Sequence, residues 1–148
     1  MTTLRHLILH LSLIDKIGPS IIKFLLDNAP VNFNWQDIYL LSAFELQSTF
    51  NLNLSLSEKI FEALRDKDIL KKELELINQN NINWLTFLDD EYPYLLKNIH
   101  LPPAVLYWQG SALNDNDKKI SIVGSRKANK YGLRTIDYFV KHNHLELF

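Results

Sequence analysis

The spacing of apolar residues changes near residue 81 and divides the chain into two parts. Up to that point apolar residues recur every three or four positions, which is the period of an amphipathic α-helix. The pattern predicts six short helices, which begin at or next to Leu4, Ser20, Asn34, Ser42, Ser57 and Asp68. Short helices with short joints are typical of paired helical hairpins. We therefore expect an all-helical domain over residues 1–81.

Beyond residue 81 the apolar runs become short and strand-like. Turn residues bound each run, as expected for β-strands. The three runs cover residues 82–88, 104–108 and 119–123. The last run leads into Gly124-Ser125-Arg126 and then into a helical pattern over residues 131–140. A strand, a glycine turn and a helix form the opening unit of a nucleotide-binding-type α/β sheet, so a second domain of that class is predicted.

Composition excludes several classes of protein. The 148 residues include no cysteine, which removes disulfides, thiolate nucleophiles and cysteine-rich zinc sites. No run reaches the roughly 18 apolar residues that a membrane span needs, and no cleavage site of a secretory signal follows the apolar start. We therefore expect a cytoplasmic protein that has no membrane partner.

Charge is distributed unevenly along the chain. The formal net charge is −1, so the chain as a whole lacks the basic balance of many nucleic-acid-binding proteins. Residues 1–81 contain 8 Lys and Arg against 10 Asp and Glu. Residues 118–141 contain 7 Lys and Arg against Asp137 alone. These basic residues surround the glycine turn, which is where an anion would bind.

The glycine turn has the features of a phosphate site. Gly124 leaves the backbone open because it has no Cβ, and the following helix directs unpaired N–H groups and the positive end of its dipole toward the turn. Ser125 supplies a hydroxyl, and Arg126 supplies a planar set of donors suited to phosphate. The chain contains neither G-x-G-x-x-G nor a Walker motif, so a structural turn with a solvated arginine is the alternative.

A second candidate lies between the first two helices. Residues 13–21 have the form of a helix-hairpin-helix, in which a hydrophobic residue between two glycines lets backbone amides contact DNA phosphate. Lys16 occupies the first glycine position and Gly18 the second. Because the surrounding helices are acidic overall, we favour a hairpin that packs on its neighbours over one that binds DNA.

No other set of residues points to catalysis or to a cofactor. His6 and His10 share a helix face, but Leu7 stands where a zinc-protease helix has glutamate, and no third ligand is evident. The acidic residues at 89–91 are typical of a solvated turn and a helix cap. We therefore predict that the protein is not an enzyme and needs no metal or cofactor.

Three motifs follow one another in the second half of the chain. The first is LDDEYPYLLKNI at residues 88–99, and the second is PPAVLYWQG at residues 102–110. The third is IVGSRKA at residues 122–128, followed by Tyr131-Gly132. In order and spacing they resemble the D-x-x-Y-P-x-x-L-x-x-I, P-P-x-V-L-aromatic-x-x-G and I-V-G-S-R-x-x-x-x-Y-G elements of the DNA-processing protein A (DprA/Smf) family. The resemblance extends over residues 4 to 141.

This resemblance implies a fold. The family combines a helical domain of the helix-hairpin-helix or SAM-like kind with an extended Rossmann-type domain. We therefore expect an α+α/β chain, with the helical domain at residues 1–81 and an incomplete Rossmann-like DNA-binding domain at residues 82–148. Three motif residues are expected to be structural, namely Tyr92, Pro93 and Pro103.

The resemblance also implies a function. Members of the family bind single-stranded DNA and help to load a RecA-type recombinase during natural transformation. The residues that the resemblance assigns to the DNA backbone are Gly124, Ser125, Arg126 and Lys127. They include the glycine turn that the residue chemistry singles out as a phosphate site.

The family also has segments beyond these motifs. Its members continue with further strands and helices, including an S-G-x-A-x-G-I-D segment that is absent here. We therefore expect a truncated and impaired member, with residues beyond about 82 poorly stabilised and an apolar edge exposed. Two alternatives are a fragment of a nucleotide-binding Rossmann-type enzyme, and an inactive remnant or interaction module that needs a separately encoded C-terminal half as partner.

Overall fold

The structure of the chain, a computed structural model, describes residues 3–111 and 123–142. These residues are mostly helical and include one two-stranded antiparallel sheet. The chain divides into two compact units, one that ends at Gln109 and one that begins at Gly110. The domain boundary expected at residue 81 follows the change of sequence pattern and stays a prediction. None of the helices described is long and apolar enough to cross a membrane.

Helices dominate the first unit. They are α1 (Leu4–Ser12), α2 (Pro19–Asp27), α3 (Ala43–Phe50), α4 (Leu54–Arg65), α5 (Lys67–Gln79) and the short α6 (Tyr94–Lys97). The strands are β1 (Asn83–Thr86) and β2 (Val105–Trp108). The helix expected after Asn34 is wrong, because the chain forms only a 3₁₀ turn at Asp37–Tyr39. The side chain of Asn34 accepts from the N–H of Gln36 at 3.2 Å and so forms a local turn instead of a helix cap.

Side-chain caps fix where two of these helices begin. At α3, Ser42 and Glu45 form a capping box in which each side chain accepts from the backbone N–H of the other residue, at 3.3 and 2.8 Å. This confirms the predicted start at Ser42. Asn53 caps α4 and makes Leu54 its first residue, so α4 begins earlier than the predicted Ser57.

Helix α1 lies at the centre of the first unit. All of its residues from 7 to 11 are buried. One side packs with α2, α3 and α4 in the larger apolar cluster, whereas Leu9 packs with Leu70 and Ile77 of α5. Burial on both sides explains why the sequence of α1 is apolar nearly all round.

The two strands belong to this first unit. They pair antiparallel, with Trp84 opposite Tyr107. Both strands contact α1, and Leu85 and Thr86 are buried. The apolar face of this pair is thus covered by the helices. The third predicted strand, at residues 119–123, lies almost wholly outside the described residues.

The second unit contains α7 (Lys130–His142), which confirms the helix predicted after the glycine turn. Residues 123–129 precede it without regular secondary structure. No residue of α7 is buried. Gly132, Ile136 and Val140 are half-buried, and their spacing of four places them on one side of the helix.

Candidate nucleic-acid interface

The predicted DNA-binding residues lie together in an exposed turn before α7. Gly124, Ser125, Arg126 and Lys127 are all exposed. No atom of the described residues would lie within 4 Å of a Cβ added at Gly124, so on their side its backbone is open to a ligand. Ser125 Oγ accepts from the N–H of Lys127 at 3.2 Å, which closes a tight turn. The Ser125 hydroxyl can still donate, because it carries its own hydrogen.

Asn129 holds the beginning of α7 in place. Its Oδ1 accepts from the N–H of Gly132 at 2.9 Å, and its carbonyl oxygen accepts from the N–H of Leu133 at 3.1 Å. This is the bonding pattern of an N-cap, and it joins the turn to the helix. The apolar period of α7 does not indicate this residue, although an asparagine three positions before the N–H that it caps is a recognisable signal.

The charge around the turn is positive. Arg126 and Lys127 lie in the turn, and Lys130 and Arg134 lie in the first turns of α7. Asp137 is the one acidic residue of 123–142, and its Oδ2 lies 2.7 Å from the Nζ of Lys141. The acidic side chain is thus paired within the later part of α7, which leaves the turn basic.

The helix-hairpin-helix candidate forms a turn between α1 and α2. Lys16 has φ of 64°, a left-handed conformation that favours glycine. Asp15 lies 3.9 Å from Lys59, and Glu73 lines a cavity of about 470 Å³ beside Gly18. Glu73 would repel a phosphate, whereas Asp15 is paired with Lys59, so the packing role of this turn stays a prediction.

The two histidines of α1 have separate surroundings. His6 makes an edge contact with Trp84, with ring centroids 5.7 Å apart, whereas His10 is fully buried and its Nδ1 lies 3.2 Å from the hydroxyl of Tyr39. Burial lowers the pKa of His10 and raises the pKa of Tyr39 to about 12. This hydrogen bond therefore joins a neutral phenol and a neutral imidazole. No group of three or more metal-binding side chains occurs among residues 3–111 and 123–142.

The first two motifs contact each other, and their contacts are structural. Asp89 Oδ2 accepts from the N–H of Thr86 at 2.6 Å and so caps the end of β1. The hydroxyl of Tyr92 donates to the carbonyl oxygen of Pro103 at 3.0 Å, and only 3% of Tyr92 is exposed. Burial raises the pKa of Tyr92, which keeps this donor protonated. These contacts support the structural role expected for Tyr92 and Pro103.

Part of the chain is similar to known proteins. Residues 83–145, which include the two strands and the glycine turn, match the family described as DNA recombination-mediator protein A. The DNA processing protein DprA of Bacillus subtilis (strain 168) is 34% identical over 73 residues, which are 49% of this chain and 25% of that protein. The chain thus spans about a quarter of the length of this relative. No solved structure matches the chain.

Residues 83–145 are thus similar to the DNA recombination-mediator protein A family, and the relative that they resemble is described as a DNA processing protein. The three motifs that carry the resemblance in the sequence all lie within this segment.

Proposed function

We propose that this chain binds single-stranded DNA through the turn formed by Gly124, Ser125, Arg126 and Lys127. The observation that carries the proposal is an exposed, basic glycine turn directly before α7, inside the segment that matches the recombination-mediator family. Within residues 3–111 and 123–142, nothing within 4 Å of the Gly124 Cβ position blocks a strand from the backbone.

Each residue of the turn has a distinct part in this proposal. Gly124 admits the DNA backbone close to the main chain, and the hydroxyl of Ser125 donates to a phosphate oxygen. Arg126 donates two N–H groups to one phosphate, whereas Lys127 contributes a point charge. Binding of this kind follows the backbone instead of the sequence of bases, and it weakens as salt concentration rises.

The wider role extends this proposal from the family. A strand held at the turn would be presented to a RecA-type recombinase in the cytoplasm during natural transformation, without a catalytic step by this chain. The fold proposed for such a role is a helix-hairpin-helix or SAM-like domain at residues 1–81 followed by a Rossmann-like domain at residues 82–148. The one relative compared and the motifs of residues 88–132 support it.

Titration of the protein with a fluorescent dT oligonucleotide tests the proposal. Arg126→Ala should weaken binding by about tenfold or more, since a hydrogen-bonded charge contributes about 1.5–3 kcal/mol. The matched control is Arg65→Ala, which removes an exposed arginine of α4 in the acidic helical part. This control should bind as the unchanged protein does.

Two outcomes would contradict the proposal. One is the absence of binding at low salt, and the other is an equal effect of Arg126→Ala and Arg65→Ala. Competition by a mononucleotide at concentrations that match the oligonucleotide would instead favour a nucleotide site, because a phosphate-backbone site gains from several contacts along one strand.

A further inference from the structure

Helix α7 has a clear division between an inward and an outward side. Each residue of an α-helix is rotated by about 100° from the one before it. The half-buried residues Gly132, Ile136 and Val140 mark the inward side. The outward side carries two neighbouring rows. The basic row consists of Lys130, Arg134 and Lys141, and the aromatic row consists of Tyr131, Tyr138 and His142.

The aromatic row is exposed and partly ordered. Tyr131 is 78% exposed and Tyr138 is 61% exposed. The ring of Tyr138 stacks on His142, with centroids 3.9 Å apart and an angle of 26° between the planes. His142 Nδ1 lies 2.8 Å from the carbonyl oxygen of Tyr138, so the imidazole is held where it supports the phenol ring. A ring held in this way loses less side-chain entropy when a ligand stacks on it.

The basic row runs beside these rings from the glycine turn. Lys130 and Arg134 are one helical turn apart, and both are exposed. Farther along, Lys141 is paired with Asp137 at 2.7 Å. Free positive charge is therefore concentrated at the end of α7 that adjoins Arg126 and the turn.

The two rows together fit a single strand of nucleic acid. Its phosphates would follow the basic residues, and its bases would turn toward the adjacent rings. Unpaired bases have open faces that stack on aromatic side chains, whereas bases within a duplex are already stacked on each other. Tyr131 and Tyr138 are seven residues apart, which is about 10 Å along the helix axis and leaves room for bases at two separate positions.

We propose that Tyr131 and Tyr138 form a base-stacking surface on α7, beside phosphate contacts from Lys130 and Arg134. This inference rests on the proposed binding of single-stranded DNA at the glycine turn and extends that site along the helix. Arg126 then contacts the backbone only, whereas the two tyrosines contact the bases.

A comparison of two oligonucleotides of equal length separates these contributions. One is a dT oligonucleotide, and the other has the same phosphates and sugars but no bases. The unchanged protein should bind the dT strand at least about fivefold more tightly, since each stacked base contributes about 1–3 kcal/mol. In Tyr131→Ala/Tyr138→Ala this preference should disappear, with binding of the abasic strand and its salt dependence unchanged.

Three further variants make the comparison specific. Tyr131→Phe/Tyr138→Phe keeps both rings and should retain the preference for dT. Tyr94→Ala removes a tyrosine of similar exposure, 68%, from the first unit and should have no effect on the preference. Arg126→Ala should weaken the binding of both oligonucleotides to the same extent. Circular dichroism of the alanine variants should show unchanged helix content.

The outcomes distinguish this inference from the proposed function. Equal binding of the dT and abasic strands by the unchanged protein, still lost in Arg126→Ala, would overturn the stacking surface and leave the phosphate site in place. A preference for dT that survives in Tyr131→Ala/Tyr138→Ala would also overturn it. Failure of the unchanged protein to bind either strand would overturn both.

Discussion

Arg5 connects the helical part of the chain to the segment that matches the recombination-mediator family. Its guanidinium carbon lies 4.2 Å from the ring centroid of Trp84, and its Nη2 donates to the carbonyl oxygen of the same residue. Arg5 Nε lies 3.4 Å from Asp89 Oδ2, an ion pair without hydrogen-bond geometry. One side chain at the start of α1 thus contacts β1 and the residue that caps its end. We expect Arg5→Ala to loosen the strands from α1.

The magnitude follows from these three contacts. The charged hydrogen bond contributes about 1.5–3 kcal/mol and the cation–π contact about 0.5–1 kcal/mol. The ion pair adds only a few tenths of a kcal/mol, because 40% of the Arg5 side chain is exposed and solvent screens the charge. Because solvent also weakens the other two contacts of this half-exposed side chain, Arg5→Ala should lower the free energy of unfolding by about 2 kcal/mol. In a chain of this size that is a decrease of about 4–8 °C in Tm.

Urea unfolding followed by circular dichroism measures this change. The matched control is Arg65→Ala, whose guanidinium lies 5.1 Å from the ring of Phe61 within a single helix. The control should cost less than about 1 kcal/mol. Amide hydrogen exchange should also become faster at Leu85 in Arg5→Ala. Equal costs for the two variants, with unchanged exchange in β1, would refute the role given to Arg5.

Three other substitutions test the surroundings of the strands and helices. Burial lowers the pKa of His10 below its unfolded value, so the stability that neutral His10 contributes should be full above about pH 6.5 and fall as the pH decreases through the folded pKa. The free energy of unfolding should therefore depend less on pH between pH 5 and 7 in His10→Gln, and an unchanged dependence would contradict this. Lys16→Gly should stabilise the chain by about 1 kcal/mol in urea unfolding, because Lys16 has a left-handed φ of 64°, and a loss of stability would show that the turn is not strained. Tyr92→Phe removes the hydrogen bond to Pro103 and should cost about 1–2 kcal/mol in thermal unfolding, whereas a neutral result would mean that this contact adds nothing.

The sequence predicts helices best where a cap and an apolar period agree. Ser42 begins α3 as predicted, because its capping box depends on residues three positions apart. The sequence does not reveal the start of α4, because apolar and polar residues alternate over residues 50–57 and hide the helical period around Asn53. The helix cap predicted at Asn34 is wrong, because the same side chain can cap a helix or close a turn, and the neighbouring contacts decide which of the two forms.

Contacts between distant residues could not be predicted in this way. Arg5 and Trp84 are 79 positions apart, and nothing in the spacing of either residue indicates that they meet. Helix α1 covers the strands through this contact and through Leu9, which packs with Trp84 and Val105. In the sequence, Leu9 is an ordinary apolar residue of a helix. Tertiary packing decides such contacts, whereas periodicity reports only which side of an element is apolar.

The sequence predicts the helix that follows the glycine turn but not the side-chain contacts of either. Gly124 and Arg126 stand out because a glycine turn before a helix has recognisable chemistry. The hydrogen bond that Ser125 accepts and the stacking of His142 on Tyr138 depend on side-chain conformations, so the sequence does not indicate them. The predicted strand at residues 119–123 lies almost wholly outside the described residues, and the Rossmann-like sheet therefore stays a prediction.

The salt dependence of single-stranded DNA binding tests the proposed site most directly. The logarithm of the association constant for a dT oligonucleotide is measured against the logarithm of salt concentration, for the unchanged protein and for Arg126→Ala. Each phosphate contact on a single strand contributes about −0.7 to this slope. The variant should therefore bind more weakly and have a slope less negative by about 0.7. An unchanged slope and affinity in Arg126→Ala, or no binding by the unchanged protein, would contradict a phosphate site at the glycine turn.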